Sequence, residues 1–511
     1  MRPASRRSLA ALLFFSLTLV LAWPLAAHLY LVSSEPAEGA ELSRVPGELR
    51  LTFSEPAELA LTQLELLGPD GRPVRLSEPT TPAGEPNVVI YRIEGVLRAG
   101  QYAVSWRTTS ADGHPVRGSF SFLIAEDAEG LPAEPVDEPP PHAAVHHDPA
   151  MFPEGGGFTP ESPGYVAVRW LTFVGLLGVI GVVAFRLLVL GLMARRRAPE
   201  GIVLVGAASR RSAAVGAAFS VVLAAAVAAR LYAQHRALYG PDVALSWTSI
   251  SPLLTRTTWG TGWILQAGAT LVALIAFVLA RRLTPASSVG DTTSSSDGLD
   301  RQDAGTGSAV APALNIGWVL AAIAVLVLAF TPAMAGHAVA TPGYAWLAVL
   351  SDGLHVLGAG GWLGSLLAVL AIGIPMALRL RQGQGRAVAE MVSAFSPTAL
   401  FFAALVMTTG IISAVLHLGV VSDLWQAEYG RVLLLKVAVL SLLFGTAAYN
   451  WLRVRPALGD IEGARRLRRS AGFEVAVGAV VLLITAVLVA TPPPADIQTT
   501  DPALVAEASR M

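Results

Sequence analysis

Residues 345–377 read AWLAVLSDGLHVLGAGGWLGSLLAVLAIGIPMA, and this run decides the architecture. It is long enough to cross a bilayer core as a helix, and it carries only two titratable side chains, Asp352 and His355. The two are three residues apart and share one helix face, just inside the first end of the segment. Ionisable groups at membrane depth are costly and face a bundle interior or a pathway, so this face is a candidate site. GAGGWLG at 358–364 supplies small residues that let a neighbouring helix approach beside His355.

Further apolar spans lie near 165–192, 212–233, 259–280, 314–334, 397–420, 431–452 and 471–491, which makes eight in all. The whole chain agrees with an all-α polytopic bundle: 511 residues, 53% hydrophobic and only 14% charged. A net charge of -1 gives no sign of a nucleic-acid partner. The absence of cysteine excludes disulfides and thiolate chemistry, leaving His, Asp, Glu and Met as metal ligands. Basic residues at 195–197, 210–211, 281–282, 379–386 and 453–469 fall in alternate connections, which predicts that these loops face the cytoplasm. The lipid bilayer of the cell membrane is therefore the expected setting.

Before the bundle the pattern changes. Arg2, Arg6 and Arg7 precede an apolar stretch from Leu9 to Leu21, and Leu25, Ala26 and Ala27 end it with small residues, so 1–27 reads as a signal peptide. From 28 to 125 the residues alternate: Leu49, Leu51 and Phe53, then Tyr102, Val104 and Trp106, then Phe120, Phe122 and Ile124 each share a face. Turn signals at 68–71 and 111–115 separate these runs, which predicts a small all-β sandwich or barrel. Residues 126–163 are rich in Pro, Glu and His and read as a linker. The remaining divisions are 164–283 for spans one to three, 284–313 for a flexible cytoplasmic loop, 314–491 for spans four to eight, and 492–511 for an extracytoplasmic tail.

Cleavage after Ala27 would make His28 the N-terminus and pair its α-amine with its imidazole in a bidentate chelate suited to Cu(II). Asp112 and His114 are two apart, so in an extended segment both side chains leave one face and can converge on an ion. In the bundle, His337 and His417 sit at span ends on the side of Asp352 and His355, and Met334, Met391 and Met407 are thioethers able to hold Cu(I). Lys436 has Asp352 or Glu428 as a possible partner, and Glu474 sits toward the cytoplasmic end of the last span. Both read as structural or coupling groups.

HLYLVSSEPAEGAEL, LRLTFSEPAE and SWRTTSADGHPVRGSFSF resemble the CopC copper-binding domain, over nearly all of 28–125. That resemblance implies a cupredoxin-like β-fold outside the cytoplasm, with His28, Asp112 and His114 as Cu(II) ligands. No methionine lies between the initiator and Met151, so it implies a Cu(II)-only site. MAGHAVATPGYAWLAVLSDGLHVLGAGGWLGSLL, SAFSPTALFFAALVMTTG, YGRVLLLKVAVL and RRSAGFEVAVG resemble the CopD copper-transport family, strongly over about 330–490 and weakly over the first three spans.

The expected function is copper homeostasis by a transporter, not an enzyme. The outer domain captures Cu(II), and copper enters through Met334, His337, Asp352, His355 and His417 as Cu(I) or Cu(II). An extracytoplasmic copper donor and a cytoplasmic acceptor would be its partners. No nucleotide motif is evident, so movement would follow a gradient or be coupled to ions. Paired histidines also suit a haem-linked redox protein, an N-terminal His chelate suits an oxygen-activating copper enzyme, and binding for resistance, storage or sensing without net transport is the fourth alternative.

Overall fold

Alternation along the first strands decides which face they bury. A computed structural model describes residues 29–54, 56–109, 115–131, 162–195, 199–240, 243–285, 315–334, 345–380, 383–418, 420–454 and 461–491. Seven strands appear among them: β1 (Leu31–Glu35), β2 (Glu41–Arg44), β3 (Glu48–Phe53), β4 (Gln63–Leu67), β5 (Val88–Arg92), β6 (Gly100–Thr109) and β7 (Pro115–Glu129). They form two sheets, ordered β1-β3-β5 and β2-β7-β6-β4, with β2 parallel to β7 and the other pairs antiparallel. The faces expected from alternation are the core: Leu49, Leu51, Phe53, Tyr102, Val104, Trp106, Phe120, Phe122 and Ile124 are all buried. Phe53 meets Trp106 edge-on across the two sheets with ring centroids 5.3 Å apart.

Eight helices are long and apolar enough to cross a membrane. They are α1 (Pro163–Arg195), α2 (Pro199–Tyr239), α4 (Thr258–Leu283), α5 (Ile316–Met334), α6 (Ala345–Ala377), α7 (Gln384–His417), α8 (Glu428–Arg453) and α9 (Ile461–Leu488), and the short helix α3 (Trp247–Thr255) joins α2 to α4. Ser162 caps α1 by accepting from the Tyr165 N–H, and Thr257 caps α4 by accepting from the Gly260 N–H at 2.9 Å. Successive spans run in opposite directions. The start of α1 meets the end of α2 through Tyr165 and Gln234, and Ala333, Ala348 and Leu416 bring together the end of α5, the start of α6 and the end of α7.

The most buried span, α1, packs against α2, α6, α7 and α9. Glycines make the closest of these approaches. A Cβ on Gly181 of α1 would overlap the Gly364 backbone of α6, and a Cβ on Gly364 would overlap the Leu177 carbonyl. Gly364 closes a π-helical turn at Gly360–Gly364, and a second such turn follows at Val369–Gly373, so α6 is locally unwound just past His355.

The β-domain rests on the bundle. Its single 3-10 turn, Leu59–Leu61, puts Leu61 into a socket formed by Leu253 of α3 and Trp259 of α4. The Glu58 carboxylate accepts from the Thr258 N–H at 3.0 Å and its hydroxyl at 3.2 Å, satisfying a free donor at the start of α4 and placing negative charge at that helix's positive end. Arg107 of β6 donates to the Leu238 carbonyl at 3.4 Å and lies over the Tyr239 ring at the end of α2.

Candidate metal centre

Asp352 and His355 lie about 10 and 15 Å along α6 from the end of the bundle that carries the β-domain, at 1.5 Å of rise per residue. Both face α7. The Ser413 hydroxyl donates to Asp352 Oδ1 at 2.9 Å, and His355 Nδ1 is 3.0 Å from Thr409 Oγ1. Ser413 and Thr409 are four apart on α7, so one helix face matches the other. The Thr409 hydroxyl proton goes to the Leu405 carbonyl at 2.7 Å, which leaves its oxygen to accept from His355 Nδ1–H. That partner sets the tautomer: Nε2 keeps its lone pair, as an imidazole needs in order to ligate a metal. The Ser351 hydroxyl donates to the Thr409 carbonyl at 3.2 Å and ties the helices together one turn above. Lys436 of α8 is within electrostatic reach of both Asp352 and His355, so a carboxylate, an imidazole and an ammonium from two helices share one region.

Met334 is half-buried at the end of α5, Met391 is buried in the opposite half of the bundle, and Met407 is exposed, so the three thioethers are not brought together. His28, Asp112, His114 and His337 lie outside the described residues. His417 is the last residue of α7, and its side chain is outside the described set as well. Among the described residues no group of three or more His, Asp or Glu side chains converges. Strands β6 and β7 pair as far as Thr109 and Pro115, the described neighbours of the segment holding Asp112 and His114. The Thr109 carbonyl accepts from the Glu58 N–H at 3.0 Å, so the turn that docks on the bundle abuts these strand ends.

Sequence reading passed over a polar layer beneath the β-domain. His235 is fully buried near the end of α2, with Nε2 2.9 Å from Ser249 Oγ of α3 and its ring against Tyr239. Tyr165 donates to Gln234 at 2.7 Å, and Arg230 donates to Gln266 at 3.3 Å while lying over Trp259. A histidine beside a glutamine in an apolar span was a visible signal. Its burial was not, because α3 and the β-domain supply the cover. Burial lowers the Arg107 guanidinium from its ordinary value, an effect Tyr239 opposes and Arg117 reinforces. Arg186, buried in a π-helical turn of α1 with its guanidinium 5.7 Å from the Trp318 ring of α5, was also passed over.

In the other half of the bundle, Glu474 of α9 is buried and takes a hydrogen bond from the Asn450 amide of α8. Asn450 opens a π-helical turn, Asn450–Val454.

Three protein-family models match separate parts of the chain. The CopC domain matches residues 31–125, the N-terminal domain of copper resistance protein D-like proteins matches 159–292, and copper resistance protein D matches 389–488. The first three spans thus carry a family match of their own, while Asp352 and His355 fall between the two membrane segments matched. Copper transport protein CutJ of Bacillus subtilis is 24% identical over 473 residues, covering 92% of this chain and 75% of its own. Copper resistance protein C of Pseudomonas syringae pv. tomato is 35% identical over 105 residues, covering 19% of this chain and 81% of its own. The crystal structure of CopC from Methylosinus trichosporium OB3b is 26% identical, covering 19% of this chain and 94% of its own, with a TM-score of 0.18.

Proposed function

This chain belongs to the copper resistance family that joins a CopC domain to the membrane domains of copper resistance protein D, and from that membership we propose that it imports copper. The β-domain captures Cu(II) outside the cell through the His28 amine and imidazole, Asp112 and His114. The bundle then carries copper into the cytoplasm past Met334, His337, His417, Asp352 and His355. In this reading residues 1–27 are a signal peptide and 126–163 a tether, the β-domain and the tail at 492–511 lie outside, and the arginine-rich loops lie inside.

One observation carries the membrane half of the proposal. His355 spends its Nδ1–H on Thr409 and keeps Nε2 as a donor, one helical turn from a carboxylate held by Ser413. Imidazole nitrogen and carboxylate oxygen are both copper donors, and fixing them on facing helices prepares a site that an ion can enter without rearranging the bundle. The docked β-domain supports the same direction of travel, because the strand ends beside its expected ligand loop adjoin the turn seated on α3 and α4.

The test is copper accumulation in cells grown with and without the protein. Accumulation should rise with the wild-type chain and return to the background level with His355→Ala. A rise that His355→Ala leaves intact would overturn the proposed route.

A further inference from the structure

Glu474 is 4% exposed, and its single partner among the described residues is the Asn450 side chain. It lies about 20 Å from the β-domain end of the bundle at 1.5 Å of rise per residue, roughly twice as deep as Asp352. Other titratable groups on the helices packed against α9 are engaged elsewhere or face out. Lys436 reaches toward Asp352 and His355, Arg186 and Arg169 lie over the Trp318 and Tyr165 rings, Glu390 pairs with Arg386, and Tyr449 and Arg453 are exposed. A carboxyl group at this depth is therefore answered by an amide and by no cation.

Asn450 is suited to a group that changes charge. Its Nδ2–H donates to Glu474 Oε1, while its Oδ1 is buried with no hydrogen-bond partner. A carboxylate is served by that donor. A carboxylic acid is served as well once the amide turns over, because the acid O–H then donates to Oδ1. One side chain satisfies both protonation states, and the π-helical turn that begins at Asn450 loosens the helix that carries it.

We propose that Glu474 is a proton-carrying site that couples copper entry to proton exit. The inference rests on the import reading above. A single negative charge in a low-dielectric interior compensates one cation at a time, so the proton on Glu474 has to leave before a copper ion can pass its level. The exchange is an antiport without redox change: the Glu474 O–H bond breaks as copper moves inward, the proton leaves in the opposite direction, and reprotonation resets the carboxyl group.

The test uses the full chain in phosphatidylcholine–phosphatidylglycerol vesicles, with a pH dye inside and a tetrakis(acetonitrile) Cu(I) salt added outside. With the wild-type protein the lumen should become more alkaline as copper enters. Glu474→Gln keeps a hydrogen-bonding partner for Asn450 and so preserves the fold, and it should cut proton movement per copper at least tenfold. Asn450→Leu should slow the exchange and leave its stoichiometry unchanged. Copper entry without proton movement in the wild type, or an unchanged proton-to-copper ratio in Glu474→Gln, overturns the antiport and leaves import standing. Absence of copper entry in the wild type overturns import, and the antiport with it.

Discussion

Thr409 decides what His355 can do, although it is 54 residues away in the chain. Thr409→Val keeps the side-chain shape and removes the acceptor, leaving a buried ring N–H unsatisfied at a cost of about 1–3 kcal/mol. Copper accumulation should fall about tenfold as the tautomer loses its lock, while Thr409→Ser retains transport; equal rates in the two variants would remove Thr409 from the site. Asp352→Asn keeps a group for Ser413 to bond and removes the charge that faces Lys436. Transport should be lost. Adding Lys436→Met should recover thermal stability without recovering transport, because the second change restores charge balance but no donor for the ion.

Between elements, the contact of α1 with α6 is set by glycine. Gly181 and Gly364 meet backbone to backbone, so a side chain at either position must push the helices apart. Gly364→Leu should destabilise the bundle by at least about 1–3 kcal/mol, the usual cost of overpacking. It should also reduce transport, because the same helix carries Asp352 and His355. Thermal unfolding in detergent measures the first effect, and an unchanged midpoint would show that the bundle absorbs the added side chain. Sequence alone marked the small residues at 358–364 as a place for close approach beside His355. That Gly364 packs against Gly181 of α1, while Gly358 and Gly361 face Val406 and Phe402 of α7, depends on how each helix is rotated.

At the level of the whole molecule, the β-domain is seated on the bundle by one carboxylate, one apolar side chain and one guanidinium. The chain has no cysteine, so Glu58→Cys with Thr258→Cys introduces a single reactive pair. A short bismaleimide should join the two in the intact protein and fail to do so when Leu61→Asp is added. Burying Leu61 contributes about 1.5–3 kcal/mol. Its replacement by a charge should release the domain, slow copper uptake and leave the domain's own Cu(II) affinity unchanged. Uptake at the wild-type rate from a released domain would mean that docking plays no part in transfer.

The sequence by itself determined what depends on neighbours along the chain. Period-two alternation named the buried faces of β3, β6 and β7, and the length of each apolar run named eight spans, because both signals are sums over residues close in sequence. It also marked Asp352, His355 and Glu474 as polar groups in apolar helices. Their partners were beyond its reach: Thr409 for His355, Ser413 for Asp352 and Asn450 for Glu474 each come from another helix. The seat of the β-domain and the burial of His235 are of the same kind. A hydrogen bond between two helices depends on the rotation and depth of both, which packing sets, so these contacts exist only once the bundle has formed.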